Sequence, residues 1–154
     1  MKKIVLYLFV MALIASCKKE NAATQQIDIT GSWSLGSAVF QNGVTVTATQ
    51  YPCLSNNVLT IDANGTAITK YTSVDGCSIP TASGTITVGM PGDSSVSSWS
   101  RNANNIHLKQ TTLNGIVNSY GTVVNAGSIL QLTLTDTIPV SRGTPIINTS
   151  VYIK

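Results

Sequence analysis

The chain predicts an all-β domain, an antiparallel up-and-down β-barrel of about eight or nine strands, and three observations carry that expectation. Its short apolar runs alternate with period two. Asn-Gly, Asp and Gly turn signals separate them. Beyond the first sixteen residues, no stretch shows an apolar stripe of period 3.6 long enough for a helix. Only 10% of residues are charged, and Thr, Ser, Asn, Gly and Val stand where a helical protein would carry Glu, Lys and Ala. Short antiparallel strands with one dry face can hide their edges by closing on themselves. A two-sheet sandwich of the same strands is the alternative.

The chain opens with Met1-Lys2-Lys3, an apolar run from Ile4, and Leu13-Ile14-Ala15-Ser16-Cys17 followed by polar Lys18-Lys19-Glu20. About a dozen apolar residues are too few to cross a bilayer, which needs roughly 20. A basic start, a short apolar core and small residues at a cut site form an export leader. Residues 13–17 resemble the lipobox of a bacterial lipoprotein precursor. The resemblance implies cleavage after Ser16, a leader of residues 1–16, and an acylated Cys17 as the first mature residue and bilayer anchor. An ordinary secretory signal followed by a chance cysteine is the alternative. Residues 17–28 then read as the lipidated cysteine and a flexible tether with a reach of roughly 18 Å. Residues 29–154 form a single domain, a length suited to one core.

Within that domain Gly31 to Leu35 begins the first strand, Asn42-Gly43 turns, and Val44, Val46 and Ala48 alternate with threonines on the way back. Leu59 and Ile61 lead to the turn Asp62-Ala63-Asn64-Gly65, after which Thr66 to Tyr71 returns. Ser78-Ile79-Pro80 reads as a break, and Gly84 to Val88 as a short strand with Ile86 and Val88 on one side. Ser97 to Arg101 and Ile106 to Lys109 flank a turn at residues 102–105. The last strands are Ile116 to Val124, Ile129 to Thr135 and Ile147 to Ile153. In them Leu130, Leu132 and Leu134 share one face, as do Ile147, Val151 and Ile153. The expected inward set is Trp33, Val46, Leu59, Ile61, Trp99, Leu108, Leu130, Leu132 and Val151. Large residues at most of these positions suggest an interior filled by its own side chains.

Once the leader is set aside, Cys53 and Cys77 remain as an even pair in an exported, oxidising setting, where a disulfide is the default. It would close the open end of the Leu59–Tyr71 ribbon and contribute on the order of 3 kcal/mol by constraining the unfolded chain. A redox or metal pair would want a CxxC spacing and nearby His, and neither is present.

Several pieces in order resemble the lipocalin-like domains of lipoproteins from Bacteroidota-type bacteria. They are residues 29–35, Cys53, residues 59–66, Cys77, Ser98-Trp99-Ser100, Asn104-Asn105-Ile106 and residues 130–133. The resemblance spans Ile29 to the C-terminus and implies a small barrel whose Gly-x-Trp tryptophan, here Trp33, plugs one end. Thr135-Asp136-Thr137 departs from the lipocalin Thr-Asp-Tyr type of motif, lacking its tyrosine, so architecture carries over better than ligand transport.

Charge and motifs narrow the function classes. Without the leader, seven basic groups face six acidic ones, a net +1, which leaves no basic field for nucleic acid. No catalytic residue is assigned. His107 alternates with Ile106 and Leu108 and is expected to face water. Asp62, Asp75, Asp93 and Asp136 are expected in or beside turns, capping amides. No Asp-x-Asp-x-Asp spacing or Gly-x-Ser-x-Gly elbow is present, so no metal, cofactor or enzyme activity is expected. Asn64-Gly65-Thr66 and Asn148-Thr149-Ser150 match the glycosylation sequon but mean little behind a bacterial leader. The expected function is an envelope binding module for a small hydrophobic or amphipathic ligand. Trp33, Leu59, Ile61, Trp99, Leu108, Leu130 and Leu132 are its tentative lining. A non-catalytic structural or protein-interaction module with a filled barrel is the alternative. The residue after Cys17 is Lys18 and not Asp, and no acidic tract follows; the resemblance then implies the outer membrane facing the periplasm, with surface exposure as the alternative.

Overall fold

The computed structural model describes residues 26–81, 84–140 and 144–154. The leader, Cys17 and most of the tether lie outside the described residues. The elements are β1 (Gly31–Val39), β2 (Thr45–Thr47), a 3-10 turn (Pro52–Asn56), β3 (Asn57–Ile61), β4 (Thr66–Tyr71), β5 (Cys77–Thr81), β6 (Gly84–Gly89), β7 (Ser94–Asn102), β8 (Asn105–Thr112), β9 (Gly115–Ala126), β10 (Ile129–Ile138) and β11 (Ile146–Ile153). Every pairing is antiparallel, and the sheet order β11-β10-β9-β8-β7-β4-β3-β1 closes through an additional β11–β1 pairing. The result is a closed eight-stranded barrel of the lipocalin-like kind, with β2 as one extra strand beside β1. Closure satisfies the ladder groups that an open sheet would leave at two edges.

The turns form where the sequence signals them. Gly43 and Gly65 hold φ of 80° and 89°, and the Asn42 and Asn64 side chains accept from the amides of Val44 and Thr66. The first turn joins β1 to β2, the second β3 to β4. Between β4 and β7 the chain leaves the barrel as the β5–β6 ribbon. Here the structure corrects one expectation: Ser78-Ile79-Pro80 is strand and not a break. Pro80 is tolerated because a two-stranded ribbon has a free side on which its missing N–H costs nothing. Cys53 in the 3-10 turn is bonded to Cys77 at the start of β5, with Cα atoms 5.5 Å apart. The disulfide ties the ribbon to the segment entering β3, just outside the first rung of the hairpin, Asn57 opposite Tyr71.

One end of the barrel is packed. Trp33, Ile61, Ala67, Ile106, Val123 and Leu132 are each at most 1% exposed there, and Trp99 and Leu130 pack against them. Contacts with this end begin at Ile27, and Ile29 is buried over it. The Trp33 indole N–H donates to the Ile29 carbonyl at 2.8 Å, and the half-buried Trp99 indole N–H to the Asp62 carbonyl at 2.7 Å, so both rings find partners for their polar atoms. Arg101 reaches the Ile27 carbonyl, and Lys154 the Thr30 carbonyl, drawing the incoming segment across the opening.

Register sets the faces of the two closing strands, and on β11 it overturns an expectation. In β1 the register shifts between Leu35 and Ser37, so Leu35 and Ala38 both face inward although they are three residues apart. A one-residue bulge of this kind switches the inward parity along a strand. In β11 the side chain facing inward is Tyr152, 8% exposed and opposite Leu132; Val151, expected inside, shares the outer face with Ile147 and Ile153. Pairing with β10 decides this. Leu132 and Leu134 point inward, so their partners Tyr152 and Ser150 must do the same.

Candidate functional site

The opposite end of the barrel is only partly filled. Around it are the end of β1, the starts of β3, β7, β9 and β11, and the ends of β4, β8 and β10. A cavity of about 290 Å³ opens there. Its lining interleaves apolar Leu59, Leu108, Leu134 and Ile138 with polar Thr69, Ser95, Ser97, Gln110, Ser119 and Asp136. The polar positions follow directly from strand alternation. With Trp99 inward on β7, Ser97 and Ser95 must be inward too, while Val96 stands 61% exposed outside.

Asp136 corrects the sequence expectation most sharply. Instead of capping a turn, it lies inside β10, which runs on to Ile138, and it continues the inward face of Leu130, Leu132 and Leu134. Ser119 stands opposite on β9 and Asn148 opposite on β11. Removal from water pushes its carboxyl above the ordinary carboxylate range, and a hydrogen bond from Ser119 opposes that shift. The Tyr152 phenol is pushed well above its ordinary value by burial, and the neighbouring Asp136 charge adds to the shift. Tyr152 therefore stays neutral at any ordinary pH.

A second hollow of about 220 Å³ shares Thr69, Asp136 and Tyr152 with the first and extends to Asn57, Asn148 and Ser150. Asn57 is 8% exposed, and its Nδ2 has no hydrogen-bond partner among the described residues. A buried amide donor without an acceptor costs about 1–3 kcal/mol.

Of the expected lining residues, Leu59 and Leu108 form part of the cavity wall. Trp33, Ile61, Trp99, Leu130 and Leu132 belong to the packed end, where they close the barrel instead of facing the cavity. The residues that sequence reasoning missed are Asp136, Asn57 and Tyr152. A usable signal existed for the first: one more step along the alternation of Leu130, Leu132 and Leu134 reaches residue 136. Of the other aspartates expected to cap turn amides, Asp93 does so with its side chain, whereas Asp62 acts through its backbone. Asp93 Oδ2 accepts from the Met90 amide at 2.8 Å, and the backbone of Asp62 closes the β3–β4 turn. His107 lies on the outer face, stacked on Tyr120 at 4.3 Å with its Nε2 3.0 Å from Asn118 Oδ1.

Among the described residues no group of three or more His, Cys, Asp or Glu converges as a metal site would require. No helix among them is long and apolar enough to cross a membrane. No family model, no curated protein and no solved structure matches the chain.

Proposed function

We propose that this chain is a lipid-anchored, lipocalin-like lipoprotein of the bacterial cell envelope that holds a small amphipathic molecule in the open end of its barrel. The cavity carries this reading. About 290 Å³ of space, lined by apolar and hydroxylated side chains together, lies at the mouth of a barrel whose far end is plugged. That volume is close to the lower bound of small-molecule sites, roughly 300 Å³, and the mixed lining suits a ligand with an apolar body and a polar head. The anchor rests on the leader pattern at residues 1–17 and its resemblance to a lipobox. Acyl chains there would hold the domain at the membrane, at about 0.8 kcal/mol per buried methylene.

Two measurements test the proposal. An environment-sensitive amphipathic dye should bind the purified domain with saturable fluorescence, and Ser97→Phe, which fills the cavity from β7, should abolish that binding while preserving the strand spectrum. Equal binding by the wild type and Ser97→Phe would remove the cavity from consideration. In cells, Cys17→Ser should move the protein from the membrane fraction to the soluble fraction and stop incorporation of labelled palmitate. An unchanged distribution would overturn the anchor.

A further inference from the structure

Asp136 and Asn57 present complementary demands to one hollow. The carboxylate is an acceptor only, sits in a partly desolvated wall, and among the described residues is acted on by the Ser119 hydroxyl but by no basic side chain. The Asn57 Nδ2 is a buried donor lacking an acceptor. They stand on β10 and β3, three strands apart around the barrel, so one molecule lying across the mouth can meet both. Leaving the Asn57 donor unmet is costly, and Asp136 has only a neutral partner, whereas a ligand that meets both gains two desolvated hydrogen bonds, one of them charge-assisted.

From this juxtaposition we infer that the open end selects organic amines. A protonated ammonium donates to Asp136, an oxygen elsewhere on the ligand accepts from Asn57 Nδ2, and the apolar remainder lies on Leu59, Leu108 and Leu134. This rests on, and sharpens, the amphipathic-ligand reading. A bare Ca²⁺ fits poorly, since it seeks six to eight oxygens and several carboxylates, and Asp136 is the one carboxylate on these walls among the described residues. Among the described residues, the other titratable groups near the mouth do not compete for the role. Tyr152 remains a neutral phenol, Tyr71 is turned to the Asp75 carbonyl, and Asp93 is occupied at the Met90 amide in the adjoining hollow. Lys70, His107 and Lys109 lie on the outer parity of β4 and β8.

The test displaces the bound dye with chain-matched probes: octylamine, octan-1-ol, octanoate and 8-aminooctan-1-ol. Octylamine should compete at concentrations about tenfold lower than octan-1-ol, the scale of one charge-assisted hydrogen bond, with octanoate weakest. Asp136→Asn should erase the preference, so that octylamine and octan-1-ol compete equally on that variant. Asp136→Ser provides a second variant should the first fail to fold. The hydroxylated amine should compete better than octylamine by a few-fold, about the scale of one neutral hydrogen bond, and Asn57→Leu should erase that gain. Equal competition by amine and alcohol, or an amine preference that survives in the Asp136 variants, overturns the inference while leaving the amphipathic site in place. If no probe competes, and Ser97→Phe binds the dye as the wild type does, the site itself is overturned and the inference falls with it.

Discussion

The two ends of this barrel are built from the same eight strands, yet they end as opposites. Where β1 enters, Trp33 fills the lumen, its ring fully buried and its N–H satisfied by Ile29. A few residues further along β7, β8, β9 and β10, the lumen is faced by Ser95, Ser97, Gln110, Ser119 and Asp136, and it stays partly open. An eight-stranded ring has an interior just wide enough to be filled by side chains or to hold one small ligand. Residue size along the strands decides which outcome each level takes. Large apolar residues at one level make a plug; serines and threonines at the next leave space and line it with hydroxyls. Stability and binding are thus expected to separate along the barrel axis.

That separation can be broken most forcefully at the packed end. Trp33→Ala should lower unfolding free energy by about 3–5 kcal/mol in urea or guanidinium denaturation, because it opens a large void and strands the Ile29 carbonyl. A loss below about 1 kcal/mol would mean that the plug does not support the fold. Next in size, replacing Cys53 and Cys77 together by Ala should cost on the order of 3 kcal/mol, the loss of a 24-residue cross-link. Because the link ties the β5–β6 ribbon to the entry of β3, amide exchange should rise first in that ribbon and last around Trp33. Uniform acceleration would contradict the assignment of the disulfide to the open end.

The smallest effect sharpens the comparison from the other side. The Asp136 carboxyl titrates above its ordinary 3.8 in the folded chain, so it favours folding fully below that value and loses this contribution as pH rises through its folded-state pKa. Asp28 works the opposite way. Its carboxylate is held low, first by the Thr30 amide, so its contribution is present above 3.8 and fades as pH falls through its lowered folded value. The difference in urea midpoint between wild type and Asp136→Asn, followed from about pH 3 to pH 8, isolates the first group. Relative to the wild type, the variant should gain stability as pH rises. A flat difference would show that Asp136 is well solvated and the open end wetter than its geometry suggests.

Much of this was legible beforehand because it depends on local rules. Period-two alternation gave the strands, and Asn42-Gly43 and Asn64-Gly65 gave the turns. Two cysteines on either side of one hairpin gave the disulfide. The candidate site was poorly legible for an equally physical reason. Alternation says that two faces differ; it does not say which one is inside. On β11 the apolar set Ile147, Val151 and Ile153 looked like core, and on β10 Asp136 looked like the start of a turn.

The amino-acid sequence by itself determined that this domain is built from β-strands, where they turn, and which cysteines can be joined, since each follows from neighbours along the chain. Only the tertiary structure decided which faces look inward, because that depends on the bulge in β1 and on the pairing of β11 with β10, contacts between residues more than a hundred positions apart or set by a partner strand. Closure of the ring through β1 and β11 fixed those registers together. In doing so it turned Asp136, Asn57 and Tyr152 into the walls of a single cavity mouth.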